Sequence, residues 1–420
     1  MFFSFISKKN HRNYEVNISG QSEFSNAIEP IRVALVAEQI PYYEAPFLRL
    51  CARIKEWKFT AFHLAPAIRV RYDKGYGRII DRGMDLSSGY DAIHVERPKE
   101  LAARLDAWRP DVVIVYGYSW PGAARLILCN RLKNLPQINR GTLNYFLDPR
   151  RGLKGRLMRP LRDTLLKMFT AHHYGGDYSR KVLLDAGAAP ESLFFVPFSV
   201  DTPYFLAMAD DTGQQEISLA LRRELGWSNQ EEVVLFIAQH TWVKGPDILL
   251  KVFIEWAKDN PRARLLMVGS GQMTGELQAL AAARLAPGQY HFTGYVPSAE
   301  TAPYYLAADL VVCTSRYDTW ARMVNEAMLC RRSCVLNMRV AAAGGLVEDG
   351  VNGYVVPSPA VESDPAAYVA VIKRHFALPL VERQKMGEAA REKAKEFSYE
   401  AHMDEAVAAV RYALEHVRKP

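Results

Sequence analysis

Short apolar runs rich in β-branched residues alternate with helical stretches along nearly the whole chain, and they do so in two blocks. This alternation constrains the fold more than any other feature. Strands separated by helices pair in parallel, and a parallel sheet is covered on both faces. In the first block, Ile31-Arg-Val-Ala-Leu-Val-Ala37 reads as a buried strand, followed by a helix over 45–54 and a strand over 59–62. A helix over 99–108, the strand Asp111-Val-Val-Ile-Val-Tyr116 and a helix over 122–132 continue it. After a polar stretch at 209–216, strands are expected at 232–237, 264–268, 290–293, 310–314 and 333–336. Helices are expected between them, at 247–259, 275–285, 299–307 and 320–330. A last helix over 399–417 would have Ser398 as its N-cap.

The expected architecture is therefore α/β, with two doubly wound parallel domains facing across a cleft. The 420 residues exceed what one core usually supports. The divisions read as an N-terminal extension over 1–30, a first domain over 31–208, a linker over 209–230 and a second domain over 231–396. A C-terminal helix within 397–420 is expected to pack back toward the first domain. In such sheets ligands bind outside the carboxyl ends of the strands, so the loops there are where chemistry is sought.

Charge narrows the ligand. A net charge of +7 favours anionic partners: nucleotide diphosphates, anionic lipid or nucleic acid. No helix-turn-helix, zinc or RNP pattern points to nucleic acid. The five cysteines, Cys51, Cys129, Cys313, Cys330 and Cys334, form neither a disulfide framework nor a zinc site. Met1 to Ile6 is apolar and precedes Lys8 and Lys9, the reverse of a secretory signal. With no apolar stretch long enough to span a bilayer, the expected location is cytoplasmic.

Three stretches of the second block carry the chemistry. In Thr314-Ser-Arg-Tyr-Asp-Thr-Trp-Ala-Arg-Met-Val-Asn-Glu-Ala-Met328, Asp318 precedes a helix starting near Trp320, and Glu326 lies about two turns into it. Backbone N–H groups near Ala321 and Arg322 would point at the cleft, ready for phosphate or a sugar hydroxyl. The two carboxylates could each accept hydrogen bonds from sugar or ribose hydroxyls. In Phe236-Ile-Ala-Gln-His-Thr-Trp-Val-Lys-Gly-Pro-Asp247, Lys244 sits at a loop tip beside Gly245 and could reach a diphosphate. Gly269 and Gly271 form a loop that lets a nucleotide lie close to backbone, although the spacing is not that of a dinucleotide fingerprint. Each feature also has a plainer reading: Asp318 as a helix cap, Glu326 as a solvated helix residue, Lys244 as a surface lysine beside a turn.

Taken in order, these stretches resemble glycosyltransferase family 4, retaining enzymes of the GT-B fold. Four landmarks carry the resemblance: Phe195 to Phe205, with its Val-Asp then Tyr-Phe; Lys244-Gly245; Asp318 and Glu326 with seven residues between; and Gly345 to Val356. The Pro41-Tyr-Tyr-Glu-Ala-Pro46 loop is similar to members lacking the usual glycine-rich loop. The resemblance implies that Lys244 binds the donor diphosphate, Glu326 the ribose hydroxyls and Asp318 the transferred sugar. Backbone amides from Ala321 to Met323 would hold sugar hydroxyls or phosphate. The donor is a nucleotide-diphosphate sugar, and no metal or further cofactor is expected. Gln239 stands where the family carries Arg, with Arg316 or Arg322 as possible substitute cations. Asp318 replaces a Glu, Trp320 a Phe and Ala321 a Gly.

Arg150, Arg151, Lys154, Arg156, Arg159, Arg162 and Lys167 crowd one segment through which Leu153, Leu157, Leu161 and Leu165 recur. This is a basic amphipathic helix. One reading is contact of 150–169 with an anionic membrane surface, which suits a lipid-linked acceptor in bacterial surface-polysaccharide (lipopolysaccharide) synthesis and a peripheral site at the inner face. The other is a helix packed on its own sheet with solvated charges. The expected function is retaining sugar transfer to a glycan or lipid-linked acceptor. Alternatives are a nucleotide-sugar epimerase and a nucleotide-sugar-binding subunit without turnover.

Overall fold

A computed structural model describes residues 29–65, 70–73, 78–81, 83, 85, 87–120, 122–144, 153–357 and 365–416. The expected extension over 1–30 lies almost entirely outside them. Two parallel sheets dominate. The first is formed by β1 (Ile31–Ala37), β2 (Trp57–His63), β5 (Asp91–His94), β6 (Val112–Tyr116), β7 (Gln137–Arg140), β8 (Ala171–Tyr174) and β9 (Leu193–Phe195), in the order β5-β2-β1-β6-β7-β8-β9. A short antiparallel pair, β3 (Val70–Asp73) and β4 (Arg78–Asp81), stands apart. The second sheet has β10 (Glu232–Ile237), β11 (Ala263–Val268), β12 (Tyr290–Gly294), β13 (Leu310–Cys313), β14 (Cys334–Asn337) and β15 (Gly353–Val356), in the order β12-β11-β10-β13-β14-β15. In both sheets the order reverses beside the first strand, which opens a crevice at the carboxyl ends.

The central strands β1, β6, β10, β11 and β13 are apolar and buried, as their sequence demands. Two of the strands that the sequence did not reveal, β7 and β8, are polar. In β7, Gln137 and Arg140 are buried but fully engaged. The Gln137 amide donates to the carbonyls of Ile127 and Met168. Arg140 Nε lies 2.8 Å from Glu44 Oε2, with both side chains buried. Its guanidinium sits 3.9 Å from the centroid of the Phe47 ring. Pairing of this kind is what makes a buried charge tolerable.

The stretch 209–230, expected as a linker, is largely helical. Helix Thr202–Asp210 ends at Asp211, whose carboxylate accepts from Gln214 N at 2.8 Å and starts helix Thr212–Glu224. That helix packs on helix Ala302–Ala307 of the second domain. The chain finally returns to the first domain. Ser398 accepts from Ala401 N, capping a single 3-10 turn at Glu400–His402 before the helix proper, Met403–Glu415. Ala406, Ala409, Val410 and Ala413 of this helix are buried in the core of the first sheet.

Candidate functional site

A cavity of about 320 Å³ opens at the carboxyl ends of β10, β11 and β13, and its wall includes Gln239, Lys244, Gly269, Asp318, Ala321, Arg322, Met323 and Glu326. Tyr295, Ser298, Thr301 and Tyr305 complete the far side. Residues as far apart in sequence as Phe236 and Glu326 are thus assembled around one space.

Lys244 is placed by Gly245. The 3-10 turn Trp242–Lys244 ends at Gly245 with φ +64°, and a Cβ there would sit 2.2 Å from the Thr314 carbonyl oxygen. Only glycine permits that approach. Thr314 Oγ1 then donates to the Gly245 carbonyl at 2.8 Å, which fastens the turn to the end of β13. Lys244 Nζ reaches Asp318 Oδ2 at 2.5 Å. The other Asp318 oxygen accepts from Trp320 N at 3.2 Å and Ala321 N at 3.0 Å. Burial alone would push the Asp318 carboxyl up, but the charge and hydrogen bond of Lys244 outweigh it and hold the group below its ordinary range. For Lys244, burial pulls the ammonium down, and Asp318 more than restores it, leaving it above its ordinary value. The two form a closed ion pair.

Asp318 therefore acts as a local cap, and the N–H of Ala321 is consumed by it rather than presented to the cleft. The helix expected over 320–330 runs only from Met323 to Leu329. Ala321 has φ +65°, a left-handed conformation that interrupts helical winding. That conformation costs an alanine about 1 kcal/mol and glycine little, which gives the glycine implied at this position its physical reason. Arg322 flanks the start of the helix, so the amides of Arg322 and Met323 stand at its beginning.

Glu326 is 7% exposed and accepts from the Tyr305 hydroxyl at 2.7 Å. Burial raises its pKa to about 7, against the pull of the Tyr305 hydrogen bond and the Arg322 charge. It is not a solvated helix residue.

Several expected contacts lie elsewhere. Arg316 pairs with Asp247 at 2.7 Å, donates to the Trp242 carbonyl at 2.6 Å and stacks on the Trp242 ring, so it does not supply the missing cation to the cavity wall. Trp320 donates from Nε1 to Asn325 Oδ1 at 2.8 Å and stacks on Phe397, outside the cavity. Gly269 does line the cavity; a Cβ on it would strike the Ala238 carbonyl at 2.0 Å. Gly271 instead lets its loop pass against the His240 backbone, 2.6 Å from where its Cβ would be. Arg322 does face the cavity, and its guanidinium lies 3.5 Å from the centroid of the Tyr43 ring of the first domain.

Tyr305, Tyr43 and Asn144 escaped the sequence reading. Tyr305 and Glu326 are 21 residues apart, and nothing in the sequence links them. Tyr43 belongs to the Pro41 to Pro46 loop, which did stand out. Asn144 follows β7, a strand whose polar residues concealed it.

A second cavity, of about 290 Å³, lies at the carboxyl ends of β1, β6 and β7, lined by Glu38, Gln39, Tyr116, Tyr118, Trp120 and Thr142 among others. His172 and His173 are buried in β8, away from both cavities, and burial holds the His172 ring down to about 3. The basic segment contains helix Leu153–Leu166, while residues 145–152 and the side chains of 151–157, including Leu153 and Leu157, lie outside the described residues. Leu166 is buried, whereas Met158 and Leu161 are 47% and 53% exposed. Among the described residues, no group of three or more His, Cys, Asp or Glu is placed to hold a metal, and no helix is long and apolar enough to cross a membrane.

Residues 218–393 match the family model of glycosyl transferases group 1. The D-inositol 3-phosphate glycosyltransferase of Geodermatophilus obscurus is 32% identical over 253 residues, covering 57% of this chain and 52% of that protein. That of Segniliparus rotundus is 33% identical over 235 residues, 54% of this chain and 48% of that protein. The chain thus spans about half the length of these curated relatives. Among solved structures, Anabaena Alr3699/HepE in complex with UDP has a TM-score of 0.68 at 14% identity, covering 91% of this chain and 99% of that one. Sucrose-phosphate synthase from Thermosynechococcus elongatus gives 0.66 at 16% identity, covering 91% and 98%. WaaG, a glycosyltransferase involved in lipopolysaccharide biosynthesis, gives 0.63 at 15% identity, covering 90% and 98%. The fold is GT-B.

Proposed function

We propose that this chain is a retaining, metal-independent glycosyltransferase that moves a sugar from a nucleoside-diphosphate donor to a glycan or lipid-linked acceptor. The observation that carries the proposal is one cavity uniting Lys244, Asp318 and Glu326 with the start of helix Met323–Leu329. A match to glycosyl transferases group 1 across this same half supports it.

In this reading the donor diphosphate takes Lys244 from Asp318, and the amides of Arg322 and Met323 add hydrogen bonds to phosphate or sugar hydroxyls. Gln239 and Gly269 let the nucleotide lie against backbone at the ends of β10 and β11. Glu326 accepts from the ribose hydroxyls, and Asp318, once released, contacts the transferred sugar. The bond from the anomeric carbon to the leaving phosphate oxygen breaks. The acceptor oxygen attacks on the same face, and its proton passes to the leaving phosphate. Lys244 and backbone N–H groups stabilise the charge that develops on the diphosphate. The second cavity, across the cleft, receives the acceptor. HepE was solved with UDP, so UDP-sugars are the first donors to test.

A lipid-linked acceptor fits helix Leu153–Leu166, where exposed Met158 and Leu161 accompany Arg159. Apolar tips flanked by cations suit the surface of an anionic membrane, and hence peripheral work in surface-polysaccharide synthesis.

A second reading, a binding subunit without turnover, is favoured by Gln239 in place of Arg and by the diversion of Arg316 to Asp247. Thermal shift and nucleotide release across a panel of nucleotide sugars separate the two. Transfer predicts one donor that raises the melting temperature and is slowly hydrolysed, with both effects lost in Lys244→Ala and Glu326→Ala. Stabilisation without any release favours the binding subunit. No stabilisation by any nucleotide sugar or diphosphate overturns both.

A further inference from the structure

The Asp318 to Arg322 stretch belongs by sequence to the second domain, yet the first domain holds it at both ends. Asn144, in the loop after β7, is 5% exposed. Its amide nitrogen donates to the Asp318 carbonyl at 2.6 Å and to the Arg339 carbonyl at 2.9 Å. An amide NH₂ has two hydrogens, and here each goes to a different loop of the other domain. Asn144 thereby ties the Asp318 loop to the loop after β14. At the far end, the Tyr43 ring meets the Arg322 guanidinium at 3.5 Å. Tyr43 is itself held in the first domain: its hydroxyl is 3.2 Å from that of Tyr116, and its carbonyl accepts from Tyr399 at 3.1 Å.

The second domain holds the loop as well: Lys244 pairs with the Asp318 carboxylate, whose other oxygen accepts from Trp320 N and Ala321 N. Within its own domain, Asp318 has a 3.3 Å bond from its N–H to the Arg339 carbonyl and a 3.1 Å bond from Ala341 N to its carbonyl. Ala321 holds it in a left-handed conformation that alanine disfavours. The Glu326 end of the cavity differs, because its partner Tyr305 and its helix both lie in the second domain.

We propose that Asn144 and Tyr43 are positioning residues that set the Asp318–Arg322 loop, so that this loop of the donor site takes its working geometry from the first domain. The inference rests on the transferase reading for its kinetic consequence and on geometry for its structural one. Neither residue touches a reacting atom; both act through Asp318 and Arg322.

Two readouts on the full chain keep these apart. The first is amide hydrogen exchange without any nucleotide. Asn144→Ala is expected to speed exchange of peptides covering 316–322 and 339–343 about tenfold, the scale of a lost hydrogen bond of about 1.4 kcal/mol, while β10 stays unchanged. Tyr43→Leu is expected to act on 320–323, and Tyr43→Phe, which keeps the ring and loses only the hydroxyl contact to Tyr116, to act much less. The second readout is kinetic. Asn144→Ala is expected to lower kcat for donor hydrolysis about tenfold or more, because small misplacements of a reacting constellation are costly, while the Kd for UDP stays within about threefold. Unchanged exchange in both peptides, or parallel loss of kcat, UDP affinity and melting temperature, would overturn the proposal. A parent chain that neither binds UDP nor hydrolyses a donor sinks the transferase reading, and the exchange result still judges the positioning.

Discussion

Glu326 shows how a binding group can be a liability to the fold that carries it. Its pKa is raised from 4.5 to about 7 by burial, so the folded chain binds a proton that the unfolded chain has released across that interval. Stability consequently falls as pH rises from about 4.5 to about 7 and stays lower above it. Glu326→Gln keeps the shape and the acceptor for Tyr305 but removes the buried charge. It is expected to melt several degrees above the parent at pH 8, with the gap shrinking toward zero near pH 4.5, while losing nucleotide-induced stabilisation at every pH. Scanning calorimetry across pH checks this, and a variant less stable than the parent at pH 8 contradicts it. The two carboxylates and Lys244 were legible because their spacing is a property of the chain. The partners that decide their state were not: Asp247 captures Arg316, Asn325 captures the Trp320 indole, and Ala321 N–H goes to Asp318. Each of these depends on where a loop folds, which no periodicity encodes.

At the scale of elements, Asp211 shows how one side chain can separate two helices. Its carboxylate accepts from Gln214 N, and its extended backbone breaks the run from Thr202 to Glu224 in two. Asp211→Ala is expected to cost about 1 kcal/mol, as lost N-caps do. It should speed amide exchange first at residues 212–215, as measured by mass spectrometry, with the cavity loops unaffected. The polar stretch 209–216 made 209–230 read as a linker, although exposed helices are polar on most faces. The same confusion ran the other way in the first sheet. Strands of the second domain were legible because β10, β11 and β13 are continuous apolar runs. β7 (Gln-Ile-Asn-Arg) and β8 (Ala-His-His-Tyr) were not, because polar residues fill them: Arg140 is held there by Glu44, while Asn139, His172 and His173 are enclosed by the surrounding core.

The whole molecule is joined twice, once through Val196 to Asp211 and again where the chain returns after Glu396. At the second crossing Phe397 stacks on Trp320 of the second domain and meets Phe195 of the first edge-on at 5.3 Å. Two residues later Tyr399 is fully buried in the first domain, its hydroxyl 3.2 Å from the Ser199 carbonyl. Helix Met403–Glu415 then covers the face that β6 to β9 would otherwise expose. The first domain is thus completed by the last part of the chain; the second domain, which carries Lys244, Asp318 and Glu326, has one core of its own and a second shared with Phe198, Val200, Phe205, Ala209 and Phe397. Removing residues 397–420 strips Tyr399, Ala406, Ala409, Val410 and Ala413 from the first core. At typical burial energies that is on the order of 5 kcal/mol or more, comparable with the whole stability of a domain. The truncated chain is expected to lose the rest of the first domain to limited proteolysis and to leave a resistant fragment of about 198–396, which keeps Phe198, Val200, Phe205 and Ala209 of the shared core. With Lys244, Tyr305 and Glu326 all retained, that fragment is expected to bind UDP within about tenfold of the full chain and to hydrolyse no donor. A truncated chain that melts as the parent does would mean that the C-terminal helix only rests on the first sheet. A resistant fragment with no UDP affinity would mean that the nucleoside end, too, needs the first domain.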